Sequence, residues 1–229
     1  VKSAEKMGNI KYDLVVPEKV FERLQILEGQ RAPNSLYWIA ASTHEEEEEI
    51  MIESFIEARK KSPNLRMILA PRHPERFLEV KSLLEEYVDA HDFKLSIRSE
   101  GELTDLDRNA DIWLIDTLGE LLLFYGFSDI TTVGGSFVPI GGHNILEPAY
   151  FSKPIIVGPH MEENREILQS FEANNAVKQV QADALSKAIV DFANNAMLRE
   201  NYGVAARRTM AENQGAIEVV LEKIAPLID

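Results

Sequence analysis

The 229-residue sequence contains no cysteine, which excludes a disulfide framework, a thiolate metal site and a cysteine nucleophile. No apolar run reaches the roughly 18 residues that a membrane-spanning helix needs, and Val1–Lys6 has no signal-peptide core. Positive charge is scarce: 24 Lys and Arg stand against 38 Asp and Glu, a formal charge of −14 at pH 7. So acidic a chain is a poor partner for nucleic acid, which needs clustered cations, and for an anionic membrane surface. Also missing are the Gly-Lys-Ser/Thr of a P-loop, a His-Glu-x-x-His pair and a Gly-x-Ser-x-Gly elbow. The histidines are spread along the sequence, and neither a metal nor a cofactor is expected.

What is present fits one globular domain. Hydrophobic residues make up 45% of the chain, an ordinary fraction with ample length for a core. No repeat or composition shift marks an internal boundary. Residues 1–14, with a turn at Gly8-Asn9, read as a lead-in or linker to a domain over 15–229. The chain opens on Val1 rather than Met, as a fragment would.

Short apolar runs alternate with helical patterns. The strand candidates are Leu36–Ala41, Met67–Ala70, Phe93–Ile97, Ile112–Ile115, Ile130–Val133, Ile155–Val157 and Val177–Val180. Most are unbroken rather than alternating, as strands covered on both faces are. Between them Phe77, Val80, Leu84, Tyr87 and Val88 share one helical face, as do Leu185, Ala188, Ile189, Phe192 and Ala196. The carboxyl end from about Met197 reads as helix with breaks near Gly203 and Gly215. This rhythm predicts an α/β fold: a Rossmann-like, doubly wound, mainly parallel sheet with helices on both faces.

In such sheets ligands bind beyond the carboxyl ends of the strands. The loops there are Ser42-Thr43-His44, Pro71-Arg72-His73-Pro74, Asp116–Glu120, Gly134–Glu147 and Gly158-Pro159-His160, and they hold four of the five histidines. The loop Gly134–Glu147 carries two Gly-Gly pairs, which permit close backbone approach to a ligand. The amides of the helix after it suit an anion. Asn144 and Glu147 also have the spacing of a helix cap, and Glu147 is placed to accept hydrogen bonds from a ribose. Arg72, directly after a strand, is a candidate fork for phosphate or carboxylate, whereas Arg76 reads as a surface partner of nearby Glu. Asp116 or Thr117 would cap the buried segment Leu121–Tyr125, and Gly119 would leave amides open. The run Glu45–Glu49 reads as a solvated helix start capped by Ser42 or Thr43.

Together Trp38–His44, Ala70–Phe77, Asp116–Leu121 and Val133–Pro148 resemble the bacterial 3-deoxy-D-manno-octulosonic acid (Kdo) transferases. Gly158-Pro159-His160 and Gly8–Asp13 also fit, in order, and Gly-Gly-His-Asn-x-Leu-Glu-Pro is highly specific. The similarity covers the carboxyl-terminal half of such enzymes. It implies a GT-B glycosyltransferase whose carboxyl domain binds the donor, CMP-Kdo. The amino-terminal domain, outside these residues, would supply the lipid A precursor site, the glutamate general base and the membrane contact. The full-length protein would then work at the cytoplasmic face of the inner membrane. By matching motif, the CMP contacts are Pro71 and Arg72; Leu118, Gly119 and Glu120; and Asn144, Ile145, Leu146 and Glu147. No catalytic residue is expected in this half. One departure is Glu46, where the family usually has Gly. Two other readings fit the fold: the donor domain of another nucleotide-sugar GT-B transferase or epimerase, and a non-enzymatic interaction domain.

Overall fold

A computed structural model describes residues 8–228. Seven strands form one sheet: β1 (Leu36–Thr43), β2 (Leu65–Pro71), β3 (Leu95–Ile97), β4 (Ile112–Leu114), β5 (Ile130–Val133), β6 (Ile155–Val157) and β7 (Lys178–Gln179). Their order is β3-β4-β2-β1-β5-β6-β7, and every pairing is parallel. The helices are α1 (Glu18–Glu28), α2 (Glu47–Arg59), α3 (Phe77–His91), α4 (Leu121–Phe127), α5 (Leu146–Tyr150), α6 (Arg165–Ala173), α7 (Leu185–Ala193), α8 (Ala196–Glu212) and α9 (Ala216–Ile228).

Alternate residues of each strand feed opposite faces. Trp38, Ala40, Met67, Leu69, Ile112, Leu114, Ile130 and Ile156 pack against α2, α3 and α7. On the other face Tyr37, Ile39, Ile68 and Trp113 meet α1 and α4, while Val133, Ile155 and Val157 meet α5, α6 and α8. Burial on both sides is why these strands carry no polar alternation. All seven expected strands form, though the last shrinks to Lys178–Gln179 at the sheet edge.

Three local expectations need correction. Helix α8 runs unbroken through Gly203, which is buried within it; a Cβ there would strike the Ser152 carbonyl. The glycine serves close packing rather than a break. Helix α2 has no Ser42 or Thr43 cap: its first boundary residue is Glu46, in the left-handed conformation at φ 71°. Nor do Asp116 and Thr117 cap α4. Asp116 accepts from the Ser99 amide and hydroxyl, Thr117 donates to Glu120, and Glu120 is the boundary residue with no side-chain cap.

Residues 8–13 are docked on the domain. Tyr12 is buried, and Asp13 accepts from the Gly215 and Ile217 amides at 2.6 and 2.7 Å, at the start of α9. Among the described residues no helix is long and apolar enough to cross a membrane.

Candidate functional site

The sheet winds one way from β1 through β2 to β4 and the other way from β5 to β7. The change of direction therefore lies between β1 and β5, where the loops leaving two adjacent strands diverge and open a crevice. The loop after β1 begins at His44, and the loop after β5 opens with the glycine-rich Gly134–His143 segment.

Glu47 ties these two loops together. It is fully buried, and its carboxylate accepts from the amides of His44 (3.0 Å), Gly135 (2.7 Å), Ser136 (3.0 Å) and Phe137 (2.8 Å). Burial pushes the carboxyl above its ordinary range while the four N–H groups pull it down. Because every partner is a donor, the ionised form is the one that satisfies all four. Gly135, at φ 64°, supplies the left-handed turn that aims consecutive amides inward. Glu48 is also buried and takes Arg76 in a forked contact at 2.9 Å from each carboxylate oxygen. The reading of Glu45–Glu49 as a solvated helix start fails for these two residues. Composition could not reveal it, since the amides that need Glu47 lie nearly 90 positions away. Arg76 does pair with nearby Glu, as expected, adding Glu79 to Glu48.

The expected ligand loops converge on this edge. Pro71, Arg72, Leu118 and Gly119 line one cavity of about 120 Å³ with Ser42. Arg72 is exposed, its main chain anchored by the amide donating to the Thr43 carbonyl at 2.9 Å, and its charge acts on His44, His143 and Glu147. Gly119 has φ 77° with open space where a Cβ would stand, and Leu118 is 71% exposed. Glu147 is half-buried; burial raises its carboxyl, opposed by Asn144 and by the charge of Arg72. Asn144 accepts from the Leu146 amide at 3.0 Å and reaches Glu147 at 3.4 Å. It thus orders the turn into α5, without a reciprocal bond from Glu147 to the Asn144 amide.

Three of the expected contact residues offer only main chain. Ile145 and Leu146 are fully buried in the core, and Glu120 is locked beneath the surface by Arg23, Arg98 and Thr117.

Sequence reading also missed that three histidines meet. Nε2 of His44 lies 2.7 Å from Nε2 of His143, and the His73 ring stands edge-on to His44 at 5.0 Å. Burial first, then neighbouring cations, lowers His44 and brings His143 down to about 4. His160 stands apart beside Glu162. Larger depressions of about 610 and 550 Å³ lie elsewhere, one around Tyr12 and Ser170, the other between α2 and α3. Neither gathers the strand-end loops, and the second is lined mainly by glutamates that would repel an anion.

No family model matches the chain. A 3-deoxy-D-manno-octulosonic acid transferase from Haemophilus influenzae is 39% identical over 224 residues, 97% of this chain. The chain belongs to the Kdo transferase family. It spans about half the length of the curated relatives it matches, 51% in that case. The solved C-terminal CMP-Kdo binding domain of WaaA from Acinetobacter baumannii superposes with a TM-score of 0.76 at 29% identity, covering 85% of this chain and 99% of that one. WaaG, a glycosyltransferase involved in lipopolysaccharide biosynthesis, shares the fold alone, with a TM-score of 0.54 at 11% identity over 95% of this chain and 52% of its own. The chain has the fold of the carboxyl-terminal half of a GT-B glycosyltransferase, as its resemblance to Kdo transferases implied.

Proposed function

We propose that this Kdo transferase chain is the donor-binding half of the enzyme, holding CMP-Kdo while Kdo passes to a hydroxyl of the lipid A precursor. The observation that carries the reading is the meeting of Arg72, Gly119 and Glu147, from three separate loops, on one sheet edge. Arg72 would grip the phosphate with its planar fork. The open main chain at Leu118–Glu120 would meet the base, with the exposed Leu118 side chain as an apolar platform. Glu147, ordered by Asn144, would accept from the ribose hydroxyls, and the amide of Ile145 would face the nucleotide, that of Leu146 being taken by the Asn144 side chain.

In the transfer, the bond from the sugar's anomeric carbon to the phosphate oxygen breaks and the acceptor oxygen bonds to that carbon from the opposite side. The acceptor proton goes to a base, and CMP leaves with the electron pair. This half stabilises the departing phosphate; positive groups fixed in advance are the most effective means. The base, the lipid A precursor and the membrane contact at the cytoplasmic face of the inner membrane belong to an amino-terminal acceptor domain preceding residues 15–229. A donor half presents an open face, consistent with the small volume of the Arg72 cavity.

Calorimetric titration with CMP tests the reading. Arg72→Ala should weaken binding by about 1.5–3 kcal/mol, the worth of a hydrogen bond to a charged group. An unchanged affinity would remove Arg72 from the site.

A further inference from the structure

The imidazoles of His44 and His143 stand in the crevice between β1 and β5. Their ring planes differ by 11° and their centroids are 4.9 Å apart, while the two Nε2 atoms are separated by 2.7 Å. A centroid spacing so much longer than the nitrogen gap means that the rings meet edge to edge, in an in-plane N–H···N hydrogen bond. That bond holds one proton, since two Nε2–H groups would collide head-on. One ring therefore donates at Nε2 and leaves its Nδ1 bare. The other accepts at Nε2 and carries its proton on Nδ1. A further proton can enter at the bare Nδ1 without breaking the pair, making a cation shared across both rings.

The surroundings favour such uptake only when an anion arrives. Arg72 and His73 face the pair from the loop after β2, with Arg76 behind them. From α2, Glu47 accepts the His44 amide but spends both oxygens on main-chain donors. From α5, Glu147 lies within reach of the Arg72 charge. No ion pair between either imidazole and a carboxylate occurs among the described residues. Burial first, and then the basic local field, keep the pair neutral.

We infer that the His44–His143 pair is an oxyanion receptor for the donor, binding its phosphate or its sugar carboxylate and taking up a proton as it does so. The inference rests on the CMP-Kdo reading above and adds two binding residues to it.

Calorimetry of the chain with CMP, in two buffers of different ionisation enthalpy, counts the protons exchanged. At about pH 7.5 the CMP phosphate, with a second pKa of about 6, is already ionised, so uptake reports on the protein. Titrations with cytidine and with free Kdo separate the sources. Uptake with CMP alone assigns the phosphate, and uptake with Kdo alone assigns the carboxylate. Cytidine should bind without uptake.

His44→Gln and His143→Asn should each abolish the uptake and weaken the responsible ligand about tenfold. If a variant does not fold, the imidazole nitrogen shifts of the unmodified chain replace it, and these should move toward imidazolium on titration. Binding of both CMP and Kdo without proton exchange overturns the inference and leaves the CMP-Kdo reading intact, as does uptake that survives in both folded variants. If neither CMP nor Kdo perturbs the chain, the donor reading itself falls, and this inference with it.

Discussion

Two adjacent glutamates at the start of α2 illustrate opposite uses of one residue type. Glu46 sits at φ 71°, ψ −25°, a conformation that costs a residue with a Cβ about 1–2 kcal/mol. Its side chain is exposed and makes no capping bond, so nothing local offsets the cost. Gly at this position has the backbone freedom the turn asks for. Glu46→Gly should stabilise the fold by about 0.5–1 kcal/mol after glycine's own entropic penalty, read as a higher urea midpoint at constant m-value. Glu47 is the reverse case, buried and fully engaged with four amides. Glu47→Gln turns an NH2 group toward donors and strands about two of them. It should cost about 2–5 kcal/mol and move the amide resonances of Gly135, Ser136 and Phe137. If those amides stay fixed in the variant, Glu47 does not hold the loop.

At the scale of elements, the strands were readable because burial on both faces leaves a continuous apolar run, as in Ile130–Val133 and Ile155–Val157, whose bounds agree with the structure. Helices α3 and α7 were readable through their single apolar stripes, with Val80 and Leu84 in one and Leu185, Ala188, Ile189 and Phe192 in the other fully or almost fully buried. Helix α8 was misread at Gly203 because a sequence shows that a residue is small without showing what lies against it. The position separates two effects of known size. Helix propensity alone predicts that Gly203→Ala gains about 1 kcal/mol. The added methyl, however, would meet the Ser152 carbonyl oxygen, a backbone atom that cannot rotate away. Overpacking should win, leaving the variant about 1–3 kcal/mol less stable in urea unfolding; a gain would show that α8 can shift away from the loop after α5.

At the scale of the molecule, the edge that carries the candidate site was legible since strand polarity alone puts every βα loop on one side of a parallel sheet, and the placing of Arg72, Gly119 and Glu147 on that edge follows from it. The pairing of loops across the change in winding was not legible, because it depends on strand order, which the sequence leaves open. His44 and His143, 99 positions apart, become partners only once β1 and β5 are neighbours. This closeness links the site to global stability. His143 has an ordinary pKa of 6.5 and is brought to about 4 in the fold by burial and by His44, Arg72 and His73. Between those values the unfolded chain binds a proton that the folded chain refuses, so stability rises with pH across the interval. The contribution is complete above about pH 6.5 and is lost as pH falls toward about 4. The full shift would be worth about 3 kcal/mol, and partial solvent access reduces it to about 1–2 kcal/mol. His143→Asn removes this proton site but leaves the carboxylates that also titrate in acid. The gap in unfolding free energy between the parent chain and the variant should therefore narrow by about 1 kcal/mol from pH 7 to pH 5. A gap of the same size at both pH values would mean that His143 titrates alike in the folded and unfolded chains.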